Sequence, residues 1–106
     1  MLIEIGRLTQ DVEVKTVFVN NMQKHVSNNR LALHVNRDET VFVDVTAWNG
    51  TADFLKAYFK KGDELFIEGE LRNRIIKYGD KDLNYPYVLI TRIKFTHGNK
   101  EPADFV

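Results

Sequence analysis

The sequence predicts an all-β domain of five strands with one helix between the third and the fourth. Three observations predict it. Apolar residues recur mostly at every second position, the period of a half-buried strand. One segment alone, about Thr51 to Lys60, departs to helical spacing. Asn20-Asn21, Asn49-Gly50 and Lys60-Lys61-Gly62 punctuate the pattern, and only two Pro are present, at 86 and 102. With 106 residues, 43% of them apolar, the chain has the length of one domain and can bury a core of its own.

Leu2 to Thr9 reads as the first strand. Val12 to Val19 and His25 to Asn36 are β-rich arms around Asn20-Asn21, a hairpin turn by composition. Val41 to Trp48 alternates cleanly. In the helix, Ala52, Leu55, Tyr58 and Phe59 share a face, and Asn49 or Thr51 is placed to cap the start. Lys60 and Lys61 oppose the negative end of the helix dipole, and Gly62 supplies a left-handed stop. Glu64 to Lys77 is a long strand with Gly69 as a bend or bulge. Tyr78 to Asp82 is a polar turn, and Tyr85 to Phe95 is the last strand. This order is that of a five-stranded OB-fold barrel. The domain is expected over 1–95, with 96–106 a short tail.

Composition removes several functions. The absence of Cys excludes disulfides, zinc–thiolate sites and thiol catalysis. The three His (25, 34 and 97) have no metal-ligand spacing, and no phosphate-binding Gly loop or nucleophile triad is present. No cofactor and no enzymatic activity are expected, a nuclease built on Asp11 and Glu13 or Asp80 and Asp82 being the weakest reading. No apolar run is long enough for a membrane span, and the opening MLIEIGRL has no leader pattern, so a cytoplasmic location is expected. Fifteen basic residues balance fifteen acidic ones, which counts against a nucleic-acid binder. The distribution argues the other way. Between 72 and 94, six basic residues (Arg72, Arg74, Lys77, Lys81, Arg92, Lys94) face only Asp80 and Asp82.

The third strand carries the functional argument. Val41, Val43, Val45 and Ala47 form its core face, so Phe42 and Trp48 share the other face with Asp44 and Thr46. Two large aromatics on a polar face are explained by base stacking, at about 1–3 kcal/mol per base, or by a loop or second subunit that covers them. In the fourth strand Leu65, Ile67, Gly69 and Leu71 are the core set. Arg72 and Arg74 then fall on the face of Phe42 and Trp48, suited to phosphates or to pairing with Glu68, Glu70 or Asp44. Tyr78, Tyr85 and Tyr87 flank the turn of the last hairpin.

Several stretches taken in order resemble the bacterial single-stranded DNA-binding protein family. They are Gly6-Arg7-Leu8-Thr9 with Asp11 and Glu13-Val14-Lys15, Leu31-Ala32, Phe42 to Trp48 with Ala52, Tyr58 to Asp63, Ile67 to Arg74, and Arg92 to Phe95. The resemblance implies an OB-fold that assembles, as a homotetramer or a dimer, and binds single-stranded DNA without sequence preference. It places Phe42 and Trp48 on stacking positions and Arg72 and Arg74 on a phosphate-contacting strand. The candidate DNA-binding set is these four with Arg7, Lys15, Arg37, Lys61, Lys77, Tyr78 and Tyr85. Val12 stands where the family has Pro, and Ile76 where it usually has a stacking aromatic, with Tyr78 at the same parity. Asp44 puts a negative charge between the two aromatics. The chain ends soon after the barrel, without the family's linker and acidic tip, so recruitment of other replication proteins is not expected. An alternative is an interaction module of the same fold, like primosomal accessory proteins, with weak DNA or RNA binding.

Overall fold

A computed structural model describes residues 1–96. The expected tail beyond Thr96, and with it the absence of an acidic tip, lies outside the described residues. The elements are β1 (Leu2–Leu8), β2 (Lys15–Val19), β3 (Met22–Asn36), β4 (Glu39–Trp48), α1 (Asn49–Tyr58), β5 (Glu64–Tyr78) and β6 (Lys81–Phe95). The sheet order is β1-β5-β6-β4-β3-β2, and an additional β1–β3 pairing turns the sheet back on itself. Five strands thereby form a closed ring, as in an OB-fold, and β2 hangs on β3 as a ribbon. Closure rests on two residue pairs, Arg7 with Ala32 and Leu8 with Leu31.

The ring is filled by the face that alternation predicts. Leu8, Leu31, Val45, Ala47, Leu65, Ile67, Val88 and Ile90 are buried together, and Ala52, Leu55 and Phe59 join them from α1 and the residue after it. Phe59 stacks on Phe95 with centroids 5.1 Å apart, and Phe54 meets Phe95 edge-on at 5.8 Å. Val12 is buried although it lies outside any strand. Its segment is pinned from below: Ser27 Oγ donates to Glu13 O (2.8 Å), and Lys56 Nζ donates to Val12 O (2.9 Å).

Four local expectations need correction. The hairpin strands begin at Lys15 and Met22, not Val12 and His25. Asn20 and Asn21, with φ 53° and 64°, make the tight turn between them, a geometry that matches the twist of the ribbon. The helix starts at Asn49 with Trp48 as its N-cap and no side-chain cap bond. Asn49 is instead drawn to β3, where its Oδ1 accepts the His25 N–H (3.1 Å). The helix stops at Tyr58, since Phe59 is already extended. Gly62, at φ +88°, therefore serves the turn into β5, and its N–H donates to Leu8 O (2.8 Å). Finally, two residues placed on core faces are exposed rather than buried: Val41, near the start of β4, at 40%, and Leu71 at 68%. β1 begins at Leu2, opposite Gly69, so past that point β5 pairs with β6 alone and has no barrel beneath it.

Gly69 is the pivot of this change. The β5–β6 register shifts between Glu68 and Gly69, the bulge that bends the strand around the barrel. A Cβ at Gly69 would lie 2.5 Å from Leu89 O and 2.6 Å from Val88 Cγ1. Gly69→Ala is expected to lower stability by about 1–3 kcal/mol, the cost of overpacking against backbone. The urea midpoint of the variant checks it, and an unchanged midpoint would show that the bulge tolerates a side chain.

Candidate nucleic-acid interface

Cross-strand register builds one continuous outer face. Along β4 it carries Phe42, Asp44, Thr46 and Trp48. Thr46 lies opposite Leu89 of β6, which lies opposite Glu70 of β5. Two-residue steps from there bring Arg72 with Tyr87, then Arg74 with Tyr85, onto the same face. On the other flank β3 contributes Asn28, Arg30 and Ala32, opposite Thr46, Asp44 and Phe42. Phe42 is 58% exposed and Trp48 36%, so neither ring is packed inside the barrel. They stand six positions apart along an extended strand, about 20 Å at the usual rise.

Between the aromatics lies a groove of about 540 Å³. Asn28, Arg30, Asp44 and Thr46 line one side, and Arg74, Tyr85 and Tyr87 the other. The groove is held by short polar contacts. Arg30 Nε donates to Asp44 Oδ1 at 3.0 Å, and Thr46 Oγ1 donates to Asn28 Oδ1 at 2.7 Å. The Arg74 guanidinium stands 4.9 Å from the Tyr87 ring centroid, a cation–π contact that leaves its N–H groups as donors. Arg72 is engaged by Glu70, a neighbour two residues away on the same strand face. That hydrogen bond and its charge pull the Glu70 carboxyl below its ordinary value and push the Arg72 guanidinium above its own.

The remaining candidates are distributed around this groove rather than gathered in it. Tyr85 lines it, and Tyr78 (76% exposed) lies further out on the same face of the hairpin. Ile76 sits between them, opposite Leu83. Lys77 pairs with Asp82 at the opposite parity and so faces the other side of the hairpin. Arg7 is opposite Ala32, one strand beyond Phe42, with its guanidinium on Gly62 O (3.1 Å) and 3.6 Å from Glu64. Lys15 is opposite Val26, which is opposite Trp48. Arg37 is exposed in the β3–β4 turn, and Lys61 is exposed in the loop after α1, its backbone N–H on Asp11 Oδ1 (3.0 Å). The sequence reading missed Arg30 and Asn28. Nothing along the chain marks them, since 28, 29 and 30 are all polar, and only the structure shows 29 buried between two exposed neighbours.

The Single-strand binding protein family matches residues 1–96, the whole described chain. The chain belongs to this family. Among its relatives, Single-stranded DNA-binding protein 1 of Streptococcus pyogenes serotype M6 is 42% identical over 96 residues, covering 82% of this chain and 66% of the relative. The Single-stranded DNA-binding protein of Malacoplasma penetrans is 34% identical over 89 residues, covering 80% and 43%. Single-stranded DNA-binding protein 1 of Clostridium acetobutylicum is 32% identical over 88 residues, covering 79% and 78%. The chain thus spans less than two thirds of the length of the first two relatives. The family is one of binding proteins, not enzymes. Among the described residues, no helix is long and apolar enough to cross a membrane.

The Glu70–Arg72 pair gives a test that needs no ligand. Its contribution is present above the unfolded carboxyl's pKa and is lost as pH falls through the lower folded value. An NMR titration is expected to show Glu70 ionising below the ordinary glutamate range, and Arg72→Ala to return it there. An unshifted Glu70 in the unmodified chain would mean that the pair does not persist in solution.

Proposed function

We propose that this chain binds single-stranded DNA by stacking and phosphate neutralisation, protecting it during replication, recombination or repair. The observation that carries the proposal is the exposure of Phe42 and Trp48 on one face, with the Arg74-lined groove between and beside them. Each ring can stack on a base whatever its identity. Arg74 is oriented by Tyr87 toward the groove and takes a phosphate oxygen. Arg72 exchanges Glu70 for a phosphate, while Arg7, Lys15, Arg37 and Lys61 extend the positive path around the barrel and Lys77 meets the strand only from the far side of the hairpin. Tyr78 and Tyr85 supply further ring surface along the hairpin, beside Ile76. The domain that does this is 1–95.

Trp48 is the sole Trp, so its emission reports binding directly. Oligo-dT is expected to quench it. Trp48→Ala is expected to weaken binding by about ten- to a hundredfold, within the stacking range. With about four phosphates neutralised per subunit, log K falls against log salt with a slope of about −3. Unquenched Trp48 with salt-independent binding would sink the proposal. Parallel titrations with RNA and duplex DNA separate it from the accessory-module reading, in which RNA competes as well as DNA.

We also propose that the chain forms a homo-oligomer, a tetramer or a dimer, through β1. In support, β1 pairs with β3 only at Arg7 and Leu8, so its second edge from Leu2 to Ile5 has no ladder partner among the described residues. Ile3 and Ile5, both 52% exposed, stand on its outer face. An unpaired apolar edge is a ready template for another copy. Light scattering is expected to give two or four times 12.3 kDa, and Ile3→Lys with Ile5→Lys to give a monomer. A monomeric parent chain would refute this assembly.

A further inference from the structure

We propose that Asp44 gives the groove a bias among bases, accepting a hydrogen bond from an exocyclic amine and so disfavouring thymine. This rests on the reading that the groove takes single-stranded DNA.

A stacking platform alone is indifferent to base identity, because every base has a π face. Asp44 adds a directional element to that platform. It lies on the same strand face as Phe42 and Trp48 and lines the groove between them. Arg30 Nε donates to its Oδ1 at 3.0 Å. Its other oxygen, Oδ2, makes no hydrogen bond within the described residues, and the side chain is 51% exposed. An ionised carboxylate only accepts.

The groove around it has a volume of about 540 Å³, within the roughly 300–1,000 Å³ of small-molecule sites, so a base edge has room to reach this acceptor.

Base chemistry supplies the selection. Cytosine, adenine and guanine each carry an exocyclic amine. Cytosine N4 pairs with a carboxylate in this way, with its ring N3 turned toward a neighbouring donor such as Arg30. Thymine has no such amine. Its single N3–H is flanked by two carbonyl oxygens, which would face the carboxylate and be repelled by it. The charge of Asp44, a handicap for phosphate contact, becomes useful if it meets a base edge.

Oligodeoxycytidine and oligodeoxyuridine of about fifteen nucleotides, within the span of an OB-fold site, test this. They differ only at the pairing edge of the base. Fluorescence anisotropy of end-labelled strands on the full chain is expected to show about fivefold tighter binding of the cytidine strand, the low end for one base-edge contact. Asp44→Asn and Asp44→Ala are expected to bring the ratio close to one while both strands still bind. Equal affinities in the parent chain, or a ratio that survives both substitutions, would overturn the inference and leave the DNA-binding reading intact. Failure of both strands to bind would overturn both.

Discussion

The length of β1 is the constraint on which the architecture turns. A strand of β5 can belong to the ring only while it has a partner on each edge. β1 supplies one of them from Arg7 back to Leu2, where the pairing reaches Gly69. Below that level every inward side chain of β5 is buried, and above it none is. The same covalent strand is thus a barrel stave in its first half and one side of a free-standing hairpin in its second. The register shift at Gly69 sits at the junction, where the strand must bend out of the ring.

The binding face follows from that division. Within the ring, outward positions of β4 and β3 present a floor, with Thr46 and Asn28 closed on each other. The hairpin rises beside this floor and brings Arg74, Tyr85 and Tyr87 over it. Neither part makes a groove alone. The barrel gives rigidity and the hairpin gives height, and the ladder keeps outward residues on one face across both. Such a wall can exist because cross-strand contacts, Arg74 on Tyr87 for one, replace the missing core as a source of order.

Much of this was legible in the order of residues. Alternation from Val43 to Trp48 identified the core and outer faces of β4, and the structure leaves both aromatics exposed, although Val41 is exposed too and the outward Thr46 is buried against Asn28. The failures share one cause: local rules assume a partner that only the tertiary structure can grant or withhold. Parity put Leu71 in the core, yet it says nothing of where the core ends. Capping rules favoured Asn49 and Gly62, but one was claimed by β3 and the other by β1. Arg30 escaped notice because its interest lies in facing Asp44, a relation set by strand pairing and invisible along the chain. Even the correct alternative for Arg72, engagement by an acid, could not be resolved between three carboxylates until Glu70 was seen beside it.

The hairpin of β5 and β6 has a further implication. Isolated two-stranded ribbons are marginal in water because they have no third layer to bury a face. Here Leu71 and Ile75 are exposed on one side, and Ile76 on the other. The outer part of the ribbon can therefore melt as a local unit at far smaller cost than the ring, so backbone amides near Gly79 trade their protons with solvent long before those near Ile67. A molecule with a hard base and a yielding rim can shape itself to a polymer whose contour is never twice the same.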